Sequence, residues 1–257
     1  MSNSSREQRD FLIQSKETTL SKRLQAIAQF VPRGSRVADI GADHAYLLIY
    51  LAIEGGLIKG IAGEINRGPW ENAKRQVERN GVTGQIEVRL GDGLSVLEPD
   101  EVDVIVIAGM GGALISRILE QGDRKLPRNG RLILQPNTDG DKVRRWLLDH
   151  QWELIDELLV EEAGQLYEIL VAEPGDPMRP YHTSTLTMEQ KIWVGPLLWK
   201  KKDPLLLLKL RKEQESLLRI EKALKKGKSQ EANRKKEMIA EKISEIGRLM
   251  QWLKEKS

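Results

Sequence analysis

The chain has 257 residues, a formal net charge of +3 and no cysteine. This length suits one sizeable α/β domain with a smaller appendage, and the lack of cysteine excludes disulfides, thiolate zinc sites and a cysteine nucleophile. The three histidines are far apart in the sequence, so we expect no metal site. Because no segment approaches the roughly 20 apolar residues of a membrane span, and residues 1–16 lack the apolar core of a secretory signal, we expect a cytoplasmic protein that makes no membrane contact.

Charge is distributed unevenly along the chain. Residues 1–199 hold 23 Lys and Arg against 29 Asp and Glu, whereas residues 200–257 hold 18 against 9. The net charges are therefore −6 and +9, which predicts a polyanion-binding tail beside a site for something cationic. The alternative is that the Lys-rich tail serves only solubility.

Strand and helix signals alternate through most of the chain. A first helix is predicted over 19–31 and ends at Pro32 to Gly34. The alternation that follows predicts a doubly wound, Rossmann-like α/β sheet. The predicted strands are 36–40, 59–64, 85–89, 102–108 and 131–135, and the predicted helices are 43–54, 68–81, 113–121 and 139–150. From Trp152 to Glu173, two apolar-rich segments around 161–165 indicate a closing β-hairpin.

The tail shows a different, purely helical pattern. Two segments carry apolar residues at alternating steps of three and four, and a short polar loop over 225–233 joins them. We expect an antiparallel coiled-coil hairpin, with packing of the same helices onto the main domain as the alternative. The apolar positions are Leu206, Leu210, Leu217, Ile220 and Leu224, interrupted only by Glu213, and then Ile239, Ile243, Ile246, Met250 and Leu253. The predicted domains are a polar extension over 1–18, a catalytic domain over 19–178 and a helical domain over 179–257.

The most informative motif is residues 37–46, where a buried strand runs into a tight turn and a helix, with Glu64 ending the next strand. This is the layout of a nucleoside-binding βαβ unit. Asp43 stands where a dinucleotide site has the glycine that lets the backbone approach a pyrophosphate, and its carboxylate would repel one. A cationic nucleoside without phosphate, such as S-adenosylmethionine, fits the pattern better.

Three acids at successive strand ends support this interpretation. Asp39 lies at the first strand–helix junction, Glu64 is placed to bind the ribose hydroxyls, and Asp92 is placed to bind the adenine amine. Each acid alone is more often a cap or a turn residue. Together, without a ligand, they would accumulate negative potential along one edge of the sheet.

Further candidates follow the fourth and fifth predicted strands. Glycines over 108–112 would let a flat ligand approach the backbone, or could form only a glycine-rich helix entry without a ligand. Asp43, His44 and Tyr46 are expected on the first turn of the helix that opens into the cleft, where Asp43 could instead be only a helix cap and His44 only a wall residue. Gln135 and Asn137 carry amides that could read a base edge, or could equally form only a turn.

Taken together, these motifs resemble the bacterial tRNA adenine N1-methyltransferases that modify adenine 22 in the D-arm. The resemblance runs in order from about Leu20 to Glu173, and Gly195 to Leu197 with the helical tail is similar to that family's C-terminal domain. It rests on residues 19–24, 38–47, 61–64, 90–94, 108–112 and 132–137. Ala42 departs from the family, in which serine is common at this position.

The resemblance implies a class I methyltransferase with S-adenosylmethionine as methyl donor and tRNA as partner. The cofactor contacts that it implies are Asp39, Gly41, His44, Glu64, Ile65, Asp92, Gly93, Gly109 and Met110. Because adenine N1 has a lone pair at neutral pH, alignment and exclusion of water can carry the reaction. We expect Asp43, Tyr46 and Asn137 to position the target base, Gln135 to contact it, and Lys22 and Arg23 to contact tRNA phosphates.

Three other functions fit parts of the sequence. A methyltransferase acting on another RNA base would use the same cofactor site. A nicotinamide-dependent oxidoreductase would also place Glu64 on a ribose, but it would favour glycine where Asp43 and Ala45 stand. A non-enzymatic RNA-binding scaffold would explain the basic tail but not the acids at the strand ends. We expect the protein to be a monomer.

Overall fold

The structure is a computed structural model that describes residues 20–182, 185–224 and 230–255. The predicted extension over 1–18 lies outside these residues. The chain divides into two compact units, Met1–His182 and Thr183–Ser257.

The first unit is built on one seven-stranded sheet with the order β3-β2-β1-β4-β5-β7-β6. The first five strands are parallel, and β7 runs antiparallel between β5 and β6. The predicted doubly wound sheet that ends in a β-hairpin is therefore confirmed. The strands are β1 Ser35–Ile40, β2 Leu57–Glu64, β3 Ile86–Leu90, β4 Val104–Gly111, β5 Arg131–Thr138, β6 Trp152–Glu162 and β7 Gln165–Pro174. The helices are α1 Lys22–Gln29, α2 Tyr46–Ile53, α3 Arg67–Arg79, α4 Gly112–Gln121 and α5 Gly140–Asp149.

The central strands are apolar because both faces of the sheet are covered. Val104 to Ile107 of β4 and Val37 and Ala38 of β1 are at most 1% exposed, as expected for parallel strands covered on both sides. The strand order reverses between β1 and β4, so a crevice opens at the carboxyl ends of these two strands. This edge of the sheet holds the predicted site.

Strands β4 and β5 extend beyond their predicted ends. Ala108 pairs with Gln135, but Met110 then pairs with Pro136, so Gly109 is left out of the register as a bulge. Gly109 adopts a φ of +79°, which favours glycine. The glycine-rich segment is therefore a bulged continuation of β4, and Asn137 lies on a strand.

The hairpin is held to the sheet by buried charges. Ala163 and Gly164 form its turn, both with positive φ. Behind it, the fully buried Arg144 of α5 pairs with Glu157 of β6 and Glu168 of β7. Removing one partner of such a buried cluster leaves an uncompensated charge, which typically costs about 3–5 kcal/mol.

The second unit is helical. Its helices are α6 Met188–Val194, α7 Pro196–Lys201, α8 Leu206–Leu224 and α9 Gln230–Glu255. Thr187 and Gln190 form a capping box at the start of α6. The predicted helical tail is thus confirmed, whereas the supercoil of α8 and α9 stays a prediction.

The predicted apolar seam is buried only in part. On α9, Ile246 and Leu253 are at most 5% exposed, whereas Ile220 near the end of α8 is 42% exposed. Glu213, which interrupts the seam, accepts a hydrogen bond from Trp193 of α6. Glu213 therefore binds a side chain of α6 within this unit, although it interrupts the apolar seam. Most of the connecting loop, over 225–229, lies outside the described residues. Over the described ranges of the chain, no helix is both long and apolar enough to cross a membrane.

Candidate active site

Asp39 is the central carboxylate of the crevice. It lies one residue before the end of β1 and is 5% exposed, yet its carboxylate accepts no hydrogen bond from any residue that the structure describes. Burial raises the pKa of the Asp39 carboxyl to about 7, with a smaller contribution from the charge of Glu64 and an opposing one from Arg23. A buried carboxylate without donors is suited to bind a cation.

Glu64, the last residue of β2, lies beside Asp39 and holds the turn that follows β1. The backbone N–H of Asp43 donates to Glu64 Oε1 at 2.6 Å. Burial raises the pKa of the Glu64 carboxyl, and this hydrogen bond opposes the shift. Glu64 thus connects the two strand ends while one of its oxygens remains available in the crevice.

The predicted helix over 43–54 begins later than expected. Asp43, His44 and Ala45 form a short turn with φ values of 29°, 59° and 57°, and α2 starts at Tyr46. Asp43 and His44 are therefore not on its first turn, and the side chain of Asp43 does not cap it. Such backbone is unfavourable for residues with a Cβ, by about 1–2 kcal/mol each. The hydrogen bond to Glu64 and the complete burial of Ala45 offset this cost.

The turn presents three side chains at the mouth of the crevice. The rings of His44 and Tyr46 stack with centroids 5.2 Å apart, and His44 Nε2 lies 3.3 Å from Asp43 Oδ1. The other ring nitrogen, His44 Nδ1, is buried and has no hydrogen-bond partner among the described residues. A buried polar atom without a partner is unusual, so this nitrogen is available to a polar group of a ligand.

Gly41 shapes the floor between β1 and β4. Its φ is +73°, and a Cβ at this position would collide with Cε of Met110. The positive φ is what favours glycine here, because the flexible end of the Met110 side chain could shift to relieve the contact. Neither the Asp39 carboxylate nor His44 Nδ1 has a hydrogen-bond partner among the described residues. With this glycine floor, they fit a nucleoside that carries a cationic group.

A second set of predicted residues forms a hydrogen-bonded network where β4 meets β5. Gln135 is fully buried, and its Oε1 accepts from Arg23 Nη1 at 2.7 Å and from the Gly109 N–H at 3.1 Å. Its Nε2 donates to Asn137 Oδ1 at 3.0 Å. Asn137 Nδ2 donates to the Gly109 carbonyl at 2.8 Å. Both ends of the Gln135 amide are therefore engaged by protein atoms, whereas Asn137 is exposed.

The remaining predicted residues lie along the crevice and its rim. Asp92 is exposed and precedes a short turn that begins at Gly93, and Ile65 is 59% exposed. Lys22 starts α1, where its backbone N–H donates to Glu162 of the hairpin. In the described parts of the chain, no group of three potential metal-ligating side chains comes together.

Two residues near the site were not predicted. Leu90, opposite Glu64 in the sheet register, is 51% exposed at the end of β3, so it offers apolar surface next to Ile65. Tyr167 of β7 lies under the Arg23 guanidinium, 5.4 Å from ring centroid to Cζ. The apolar Leu90 directly after the predicted strand 85–89 was a usable sequence signal. The sequence contained no signal for Tyr167, because the position of this residue depends on the insertion of β7 beside β5.

Comparison with known proteins identifies the family. The sequence model of the tRNA (adenine(22)-N(1))-methyltransferase family matches residues 37–248. The chain is 44% identical over 239 residues to the tRNA (adenine(22)-N(1))-methyltransferase of Bacillus subtilis strain 168. The alignment covers 93% of this chain and 97% of that protein.

Solved structures agree with this match. The crystal structure of the B. subtilis tRNA methyltransferase specific for adenine 22 has a TM-score of 0.84 at 42% identity and covers 91% of this chain and 100% of its own. A putative enzyme of the same specificity from Streptococcus pneumoniae, in complex with S-adenosylmethionine, has a TM-score of 0.78 at 41% identity and covers 90% and 100%. The resemblance seen in the motifs is confirmed, and the chain belongs to the tRNA (adenine(22)-N(1))-methyltransferase family.

Proposed function

We propose that this protein transfers a methyl group from S-adenosylmethionine to N1 of adenine 22 in tRNA. The observation that carries the proposal is the pair of buried carboxylates, Asp39 and Glu64, at the carboxyl ends of the neighbouring strands β1 and β2, beside the switch point of the sheet and the glycine-lined floor at Gly109. The S. pneumoniae relative was solved with S-adenosylmethionine, which supports the same cofactor here. This cofactor supplies an electrophilic methyl group on a sulfonium.

The cofactor-binding residues divide by chemistry. Asp39 offers a carboxylate to the cationic amino-acid end, and Glu64 offers the oxygen that Asp43 does not use to the ribose hydroxyls. Ile65 provides an apolar face for the adenine, and Asp92 accepts from its amine. Gly41, His44, Gly93, Gly109 and Met110 complete the set, and His44 Nδ1 contributes a polar atom that has no partner among the described residues.

The target base needs positioning and protection from water rather than deprotonation. Adenine N1 reacts through its lone pair, so no general base is required. Asp43 and Tyr46 are exposed at the crevice mouth, where they can flank the base. The negative charge of Asp43 favours the positively charged product. Because N1 lies on the Watson–Crick edge, the adenine must be unpaired or flipped out before it reacts.

The basic parts of the chain are assigned to the tRNA body. Residues 19–178 form the catalytic domain, and the basic helical domain over 179–257 contacts phosphates, a type of recognition that follows RNA shape rather than sequence. Lys22 and Arg23 add positive charge beside the crevice. The protein acts as a monomer in the cytoplasm.

The direct test is to map the methylated nucleoside. Unmodified tRNA transcripts are incubated with the protein and labelled donor, digested and analysed by mass spectrometry. We expect N1-methyladenosine at position 22 and no label in a transcript with guanine there. Methylation of another atom or position would contradict the proposal. If Asp43→Ala retained full turnover, Asp43 would have no part in positioning the base.

A further inference from the structure

We infer that Asn137 reads the Hoogsteen edge of the target adenine and that Gln135 is a positioning residue that fixes the Asn137 amide in the orientation this requires. The inference deepens the proposed function and rests on it.

The orientation of both amides follows from the groups at the two ends of the network. The Arg23 guanidinium and the Gly109 N–H can only donate, so the Gln135 atom that they share must be the oxygen. The nitrogen of Gln135 therefore faces Asn137, and the Asn137 atom that accepts from it must be Oδ1. At the far end, the Gly109 carbonyl can only accept, so it faces Asn137 Nδ2. Flipping either amide would place like groups against each other at both ends.

The amide orientation is firmly held because the hydrogen bond from Arg23 to Gln135 is buried and has a charged donor. Gln135 is 0% exposed, and a hydrogen bond from a guanidinium is stronger than one between neutral groups. Among the described residues Arg23 forms no ion pair within 4 Å, and it acts on the Asp39 carboxyl only through its charge. Asn137 is thus held from both sides while its outer face is exposed to solvent.

The hydrogen-bonding groups of Asn137 that remain free of the two internal bonds match one edge of adenine. One lone pair on Oδ1 and one N–H on Nδ2 remain after the two internal hydrogen bonds. Adenine offers a donor at N6 and an acceptor at N7, the pattern to which an asparagine amide binds in a bidentate way. Guanine offers acceptors at both O6 and N7, which would place O6 against Oδ1.

The reaction itself selects between the two edges of adenine. Contact with the Watson–Crick edge would donate the Asn137 N–H to N1 and occupy the lone pair that must react. Contact with the Hoogsteen edge leaves N1 free and directs it away from Asn137. The Hoogsteen edge is therefore the one compatible with methylation at N1.

The test replaces a single atom of the substrate. Two tRNA transcripts carry either adenosine or 7-deazaadenosine at position 22, and kcat/KM for methyl transfer is measured at saturating donor. The deaza analogue keeps N1 and N6 but has C–H in place of N7. We expect the wild-type protein to use it about tenfold or more less efficiently, as for loss of part of a bidentate contact.

Two variants distinguish the base contact made by Asn137 from the positioning role of Gln135. Asn137→Ala should use both transcripts poorly and with equal efficiency. Gln135→Leu, which cannot hold either the Arg23 or the Asn137 group, should lower the preference for adenosine to about twofold or less. The matched control is Thr138→Ala, an exposed neighbour on the same strand, which should keep the wild-type ratio. Unchanged S-adenosylmethionine affinity reports that each variant is folded.

Each outcome bears on a different claim. Equal efficiency of the wild-type protein on adenosine and 7-deazaadenosine would overturn the inference, and this result needs no variant. A wild-type ratio retained in Asn137→Ala would also overturn it. Failure to methylate the adenosine transcript at all would instead contradict the proposed function.

Discussion

Replacing Asp39 by asparagine should stabilise the ligand-free protein while removing its affinity for the cofactor. Asp39 is buried without a hydrogen-bond donor among the described residues, so its charge is unfavourable until a cation binds. Asparagine has nearly the same shape and no charge. Stability and function should therefore change in opposite directions in Asp39→Asn.

The magnitude follows from the two pKa values of the carboxyl. The pKa is 3.8 in a fully solvated chain and about 7 in the folded protein. Because folding raises the pKa, the stabilising contribution of the protonated group is complete below pH 3.8 and is lost as the pH rises through 7. Each pKa unit corresponds to about 1.4 kcal/mol, so the total loss at pH 8 is about 4 kcal/mol.

The assay is urea unfolding of the ligand-free wild type and of Asp39→Asn between pH 5 and pH 8. The free energy of unfolding of the variant should exceed that of the wild type by an amount that grows by about 1.4 kcal/mol per pH unit up to pH 7 and then levels off. Glu64→Gln is the control for the neighbouring carboxyl. A difference that does not depend on pH would refute the claim that Asp39 is destabilising when ionised.

Two further predictions concern the β4–α4 junction and the basic tail. A Cβ at Gly112 would overlap the carbonyl oxygen of Asp139, so Gly112→Ala should lower the free energy of unfolding by about 1–3 kcal/mol in the same urea assay. The control is Gly84→Ala, which faces open space and should leave the free energy of unfolding unchanged. Arg234→Glu and Lys235→Glu reverse two exposed charges of α9. In filter binding, this change should weaken tRNA binding and reduce the slope of log Kd against log salt concentration by about two. An unchanged slope would show that these residues do not contact phosphate.

The sheet could be predicted because its signals are local and strong. Uninterrupted apolar strands such as Val104 to Ile107 are typical of a parallel sheet covered on both faces, and the turn at Ala163 and Gly164 separates two strands of the hairpin. The acids at the strand ends could be placed for the same reason, since Asp39 and Glu64 each lie at the carboxyl end of a recognisable strand. Topology then brings them to one edge.

The details that depend on long-range contacts could not be predicted. The turn over 43–45 is left-handed because Glu64, far along the chain, accepts from its backbone, whereas local preference favours a helix start at Asp43. The bulge at Gly109 depends on pairing with β5, which glycine-rich sequence does not indicate. The amide network exists only because α1 brings Arg23 to Gln135 across the sheet edge.

The tail shows how far periodicity alone can be used. The pattern of steps of three and four correctly predicted two helices. It did not predict that Ile220 would be 42% exposed, nor that Glu213 would accept a hydrogen bond from Trp193. Both depend on packing within the helical unit, which heptad spacing does not specify.

The central claim is that a buried carboxylate without a hydrogen-bond donor among the described residues selects a cationic nucleoside. Calorimetric titration at pH 7 tests it most directly. S-adenosylmethionine is titrated into the protein in two buffers that differ in ionisation enthalpy, and NADH is titrated as the comparison. Because Asp39 has a pKa of about 7 in the free protein and must be ionised in the complex, binding should release about half a proton per site, and NADH should give no binding heat. Identical heats for S-adenosylmethionine in the two buffers, or saturable binding of NADH, would contradict the account.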